Sequence, residues 1–65
     1  MNVVALIDKE KLKKNMIKQA VALAISGDWT QAVTINQSII DEFPRDVEAY
    51  NRLGKALSEL GQNDQ

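Results

Sequence analysis

The stretch Leu23-Ala24-Ile25-Ser26-Gly27-Asp28-Trp29-Thr30-Gln31-Ala32 decides how this chain folds. Upstream of it, Leu12, Met16, Ala20 and Leu23 recur at three- and four-residue steps, which places them on one helical face. Gly27 ends that helix, because glycine takes the left-handed conformation beyond a helix terminus without steric cost. Asp28 opens the next helix as its N-cap, and Gln31 stands where a capping-box partner belongs. A helix, a tight turn and a second helix follow from chemistry alone.

Working outward, Asp8 fits the N-cap of the first helix, with Ile7 and Leu12 as a hydrophobic staple. Ala32, Ile35, Ile39 and Phe43 form the apolar stripe of the second helix. Pro44 cannot continue it, and Arg45-Asp46 suit a turn. Asp46 caps a third helix with the stripe Tyr50, Leu53, Leu57 and Leu60, closed by Gly61. The tail, residues 62–65, lacks an apolar anchor and is expected to be loose. No segment alternates with period two long enough to make a strand. The expected fold is all-α, three helices joined by short loops in antiparallel order.

Composition narrows the chemistry. The 65 residues carry 8 Lys+Arg against 9 Asp+Glu, with no His and no Cys. That removes disulfides, thiolate zinc sites, cysteine nucleophiles, imidazole ligands and Ser–His relays. The three glycines are isolated, so no phosphate-cradling loop is present. Asp28, Asp41, Glu42, Asp46 and Glu48 fall at caps and helix ends, where carboxylates stabilise N-termini or are simply solvated. No catalysis, metal or cofactor is expected. The longest apolar run, Ala20 to Ile25, is far short of the roughly 20 residues that cross a bilayer. Residues 1–7 have no basic residue before their apolar run and no cleavage pattern after it, unlike an export signal. A cytoplasmic location is the expectation.

A shift of 34 positions aligns the chain with itself: Ala22 falls on Ala56, Leu23 on Leu57, Gly27 on Gly61 and Gln31 on Gln65. Met16 meets Tyr50, and Ala20 meets Gly54. With Tyr50-x-x-Leu53-Gly54-x-x-Leu57, the turn Gly27-Asp28-Trp29, then Ala32 and Pro44, the chain resembles the tetratricopeptide-repeat (TPR) family. Residues 13–46 would be one full repeat. Residues 47–65 would be a half repeat or capping helix with a loose tail, and residues 1–12 an N-terminal extension and the start of the first helix. Gln19 replaces the usual leucine, Asn36 the usual aromatic and Ile39 the usual small residue. The resemblance implies a fragment of an α–α superhelix, with Ala20, Gly54 and Ala32 small where helices approach closely and Leu23, Leu53 and Leu57 filling the space between layers. It places Trp29 in packing against the preceding helix.

The resemblance further implies a non-catalytic scaffold that binds a peptide or protein segment on its first helices. Carried onto this sequence, the groove would hold Lys14, Ile17, Lys18, Val21 and Ile25 from the first repeat. Glu48, Asn51, Arg52 and Lys55 would come from the second. Ile17, Val21 and Ile25 are four apart and make one apolar stripe flanked by cations, which suits a segment with apolar side chains and some acidic character. The competing reading covers that stripe with the chain's own residues 3–7 or makes it merely a wide core face. The carboxylate-gripping clamp of some family members is not expected, since Ile17 and Val21 cannot donate and Glu48 stands where a lysine is needed. The half repeat leaves Tyr50, Leu53, Leu57 and Leu60 open on one flank, a candidate self-association face for a homo-oligomer, unless the last helix acts as a solvating cap.

Charge is split along the chain. Residues 1–27 hold five lysines and two acids, a net of +3, whereas residues 28–65 hold three bases and seven acids, a net of −4. Opposed halves favour head-to-tail stacking. Lys9, Lys11, Lys13, Lys14 and Lys18 point in several directions, unlike the single polar face of a membrane-surface helix. An alternative is a helix-turn-helix DNA-binding domain with residues 29–42 as recognition helix. That helix has no Lys or Arg and closes on Asp41-Glu42, so it offers phosphates nothing. Neither nucleic acid nor membrane is expected as a partner.

Overall fold

Gly27 is the pivot of the chain. The structure, a computed structural model, describes residues 3–63, and in it Gly27 has φ +76° at the end of α1 (Val3–Ser26). Its amide donates to the Ala24 carbonyl (3.1 Å), and the Asp28 amide donates to the Leu23 carbonyl (2.9 Å). These are the paired bonds of a Schellman end. Asp28 then caps α2 (Trp29–Glu42): Oδ1 accepts from the Gln31 amide at 3.2 Å and Oδ2 from Gln31 Nε2 at 2.8 Å. Gln31 thus braces the capping carboxylate itself. Because a side chain at Gly27 must adopt the left-handed conformation, Gly27→Ala is expected to cost roughly 1–2 kcal/mol. A thermal melt should then fall by roughly 4–16 °C for a domain of this size.

The second turn is equally local. The Phe43 amide donates to the Ile39 carbonyl at 2.6 Å, Pro44 and Arg45 turn the chain, and Asp46 begins α3 (Val47–Asn63). Asp46 Oδ1 accepts from the Glu48 amide (3.1 Å) and the Ala49 amide (3.3 Å). Its Oδ2 lies 3.9 Å from Lys13 Nζ, an ion pair that ties α1 to this turn. Lys9 and Lys13 also stand over the Phe43 ring, at 5.8 and 5.4 Å from its centre. The ordering all-α, with three helices and no strand among the described residues, matches the periodicity.

Several local expectations are corrected. α1 begins at Val3, so Asp8 lies inside it, and neither the N-cap nor the Ile7–Leu12 staple forms. Residues 3–12 are all exposed, Leu12 included. Residues 3–7 therefore continue the helix outward and do not fold back over the Ile17 stripe. At the other end Gly61 does not close α3, which runs on through Asn63. A helix tolerates an interior glycine at about 1 kcal/mol relative to alanine. Residues 62 and 63 of the tail belong to α3, while 64 and 65 lie outside the described residues.

The core explains why the helices sit as they do. α2 packs on both α1 and α3. Ala20, Ile39 and Ala49, one from each helix, form the buried centre, with Met16, Ile17, Ile35, Ile40 and Phe43 packed around it. Ala32 and Ala56 are the other fully buried apolar residues. Methyl-sized side chains at the crossings let axes approach toward the short end of the usual 8–10 Å range. In α3, therefore, Ala49 and Ala56 face inward while Tyr50 and Leu57 remain about half exposed. Leu57 does not fill the space between layers. Nor does Gly54 mark a close approach within the chain, for a Cβ built there meets nothing within 4 Å. No helix of the described residues is long and apolar enough to cross a membrane.

Candidate binding cleft

Close packing at the alanines leaves a gap where larger side chains diverge. Beside the Gly27 turn, a cleft of about 200 Å³ opens between the three helices. α1 supplies Ala24, α2 supplies Trp29, Ala32 and Asn36, and α3 supplies Asn51, Arg52 and Lys55. The floor is apolar and the α3 wall is polar and cationic.

Asn36 organises that wall. It is 1% exposed, and a buried amide must find partners or forfeit the hydrogen bonds it makes in water. Its Nδ2 donates to the Ala32 carbonyl one turn back at 2.8 Å. Its Oδ1 accepts from Arg52 Nε at 3.0 Å, a bond between α2 and α3. Arg52 is thereby pinned along the cleft wall, half-buried, with its Nη2 buried and lacking a hydrogen-bond partner. Lys55, exposed at the rim, donates to Glu59 Oε1 at 2.7 Å, one turn along α3. Arg52 and Lys55 together give the α3 wall of the cleft its positive charge.

A second hollow, about 350 Å³, lies at the α2–α3 turn between Lys13 and residues 42–46. Its charged groups hold the fold together: Lys13 meets Asp46, and Phe43 lies under Lys9 and Lys13.

Of the groove expected from sequence, Asn51, Arg52 and Lys55 are brought together in the cleft. Ile17 instead packs half-buried against the core cluster. Lys14, Lys18, Val21 and Ile25 are exposed on α1 outside the cleft walls, Ile25 at 82%. Val21 stands three residues before Ala24, so helical spacing sets it beside the α1 wall. Glu48 is exposed in the first turn of α3 and does not line the cleft. Sequence reasoning missed Asn36 and Ala24 as walls of a site and favoured packing over a binding role for Trp29. Asn36 carried a usable signal, being an amide inside the Ala32–Ile35–Ile39 stripe, where burial demands a partner. No protein-family model matches the chain, and no curated protein or solved structure is significantly similar to it.

Proposed function

We propose that this chain is a non-catalytic binding module of tetratricopeptide type whose cleft takes an acidic side chain of a peptide or protein segment, with apolar neighbours of that residue resting on Val21 and Ile25. The observation that carries this reading is the cationic α3 wall of the cleft, where Arg52, its Nε held by Asn36, stands with Lys55 over an apolar floor. The helix–turn–helix period of 34 residues and the Gly27–Asp28–Trp29 turn support the repeat assignment. The self-association reading of α3 concerns a different surface, its outer face of Tyr50 and Leu57 with Leu53 and Leu60 at the edge.

Trp29 is the only tryptophan and lines the cleft, so its fluorescence reports directly on occupancy. Panning a random peptide display library on the chain is expected to enrich Asp or Glu flanked by apolar residues, and the selected peptides should perturb Trp29 emission. Arg52→Ala is expected to weaken those peptides roughly 10- to 100-fold, the equivalent of a charged hydrogen bond of about 1.5–3 kcal/mol. Lys55→Glu, at an exposed position where stability should change little, is expected to weaken them as well. Enrichment of basic or purely apolar peptides, or binding indifferent to both substitutions, overturns the reading.

A further inference from the structure

Arg52 and Lys55 are not alone on their side of α3. Glu48, Arg52, Lys55 and Glu59 follow one another at four-, three- and four-residue steps, so one stripe of the helix reads acid, base, base, acid. The two acids differ in what they do. Glu48 is exposed, and water and salt screen its charge from Arg52 one turn on. The Glu59 carboxylate instead holds Lys55 Nζ at 2.7 Å, and its side chain is only 24% exposed. That pair does little for the fold, because lysine before glutamate is the weaker order for an i,i+4 pair and Lys55 is well exposed. No other ionic group alters the balance at the wall. α1 and α2 line the cleft with Ala24, Trp29, Ala32 and Asn36, none of them charged. Asp28, beside Trp29, turns both oxygens to Gln31, which helical spacing sets on the side of α2 away from Trp29, Ala32 and Asn36. The wall thus carries two cations, and one of them is already matched.

We infer that Glu59 is the specificity-determining residue of the cleft: by engaging Lys55 it suits the wall to a singly charged carboxylate and disfavours a doubly charged phosphoryl group. A carboxylate needs one cation, and Arg52 supplies it. A phosphorylated side chain brings a charge of about −1.5 to −2 at neutral pH. Its second charge has only Lys55 to meet, and there it stands against the Glu59 carboxylate. Without Glu59, a guanidinium and an ammonium lie side by side unspent, a pairing that phosphoryl groups accept. The inference rests on the acidic-ligand reading of the cleft and deepens it.

The test uses the peptide most enriched by panning, synthesised with glutamate and with phosphoserine at its acidic position. Both forms are titrated by Trp29 fluorescence at about pH 8, where phosphoserine is almost fully doubly charged. The parent chain is expected to bind the glutamate form more tightly. Glu59→Gln should tighten the phosphoserine form roughly 3- to 30-fold, the effect of removing one like charge at short range near the surface, and the glutamate form much less. Glu59→Asp keeps the charge and should keep the parent's preference. Both variants should retain the parent's helical circular dichroism. A parent chain that binds the two forms equally, or a Glu59→Gln variant with an unchanged ratio of affinities, overturns the role of Glu59 and leaves the acidic-ligand reading standing. Loss of the preference in Glu59→Asp as well assigns it to side-chain packing and overturns the charge argument. Binding of neither form by the parent or by Glu59→Gln overturns the acidic-ligand reading and this inference together.

Discussion

Ile39→Ala is expected to remove most of the stability of this protein. Ile39 is 0% exposed and is the largest fully buried side chain, set between Ala20 of α1 and Ala49 of α3. Truncating a buried isoleucine to alanine costs about 2–5 kcal/mol, through lost transfer energy and the cavity left behind. At typical stabilities per residue, a chain of this length has about 3–10 kcal/mol in total. The neighbours cannot collapse into the space easily, because two of them are alanines with no further atoms to swing inward. The loss should therefore fall in the upper part of its range. Urea unfolding followed by circular dichroism should show the midpoint falling sharply with its slope retained, and Ile39→Val should lose only about 0.5–1.5 kcal/mol. A cost below about 1 kcal/mol for the alanine would mean the three helices do not meet at Ile39.

That dependence on one isoleucine follows from how the sequence divides its work. The turns were legible because each is a local matter: Gly27 with Asp28 and Gln31, and Pro44 with Asp46, carry their hydrogen-bond partners within six residues. Helix ends without such chemistry were not. Asp8 looks like a cap yet sits inside α1, and Gly61 looks like a stop yet sits inside α3. In both cases helix propagation, one hydrogen bond gained per residue fixed, outweighs a single unfavourable residue. The face of α3 was misread for another reason. Large apolar residues draw the eye to Tyr50 and Leu57, while close packing at a helix crossing selects the small Ala49 and Ala56. Three of the seven residues lining the cleft were legible: Asn51, Arg52 and Lys55. The Asn36–Arg52 bond joins residues 16 apart on different helices, and no periodicity within one helix encodes it.

The Asn36–Arg52 bond yields the second large effect, and it separates structure from binding. Asn36→Leu keeps a similar volume in the buried site but strips Arg52 Nε of its acceptor, in a guanidinium whose Nη2 already lacks one. Leaving buried donors unmet costs about 1–3 kcal/mol, more for a charged group. Replacing both partners behaves differently, since matched apolar pairs are often neutral or stabilising where a single deletion is not. Asn36→Leu is therefore expected to destabilise by about 2–3 kcal/mol, and the Asn36→Leu/Arg52→Met double variant to regain most of that loss. In a double-mutant cycle this appears as a coupling energy of about 1 kcal/mol or more, the range found for residues sharing a hydrogen bond. Binding should not follow stability. The double variant, refolded and firm, lacks the guanidinium and should fail to perturb Trp29 fluorescence with acid-bearing peptides. Asn36→Leu alone keeps the charge but frees its orientation, and should bind them weakly. If the double variant bound as tightly as the parent chain, Arg52 would be a structural strut between α2 and α3 and nothing more. If the two substitutions simply added, the bond that fixes the guanidinium in the cleft would carry no energy.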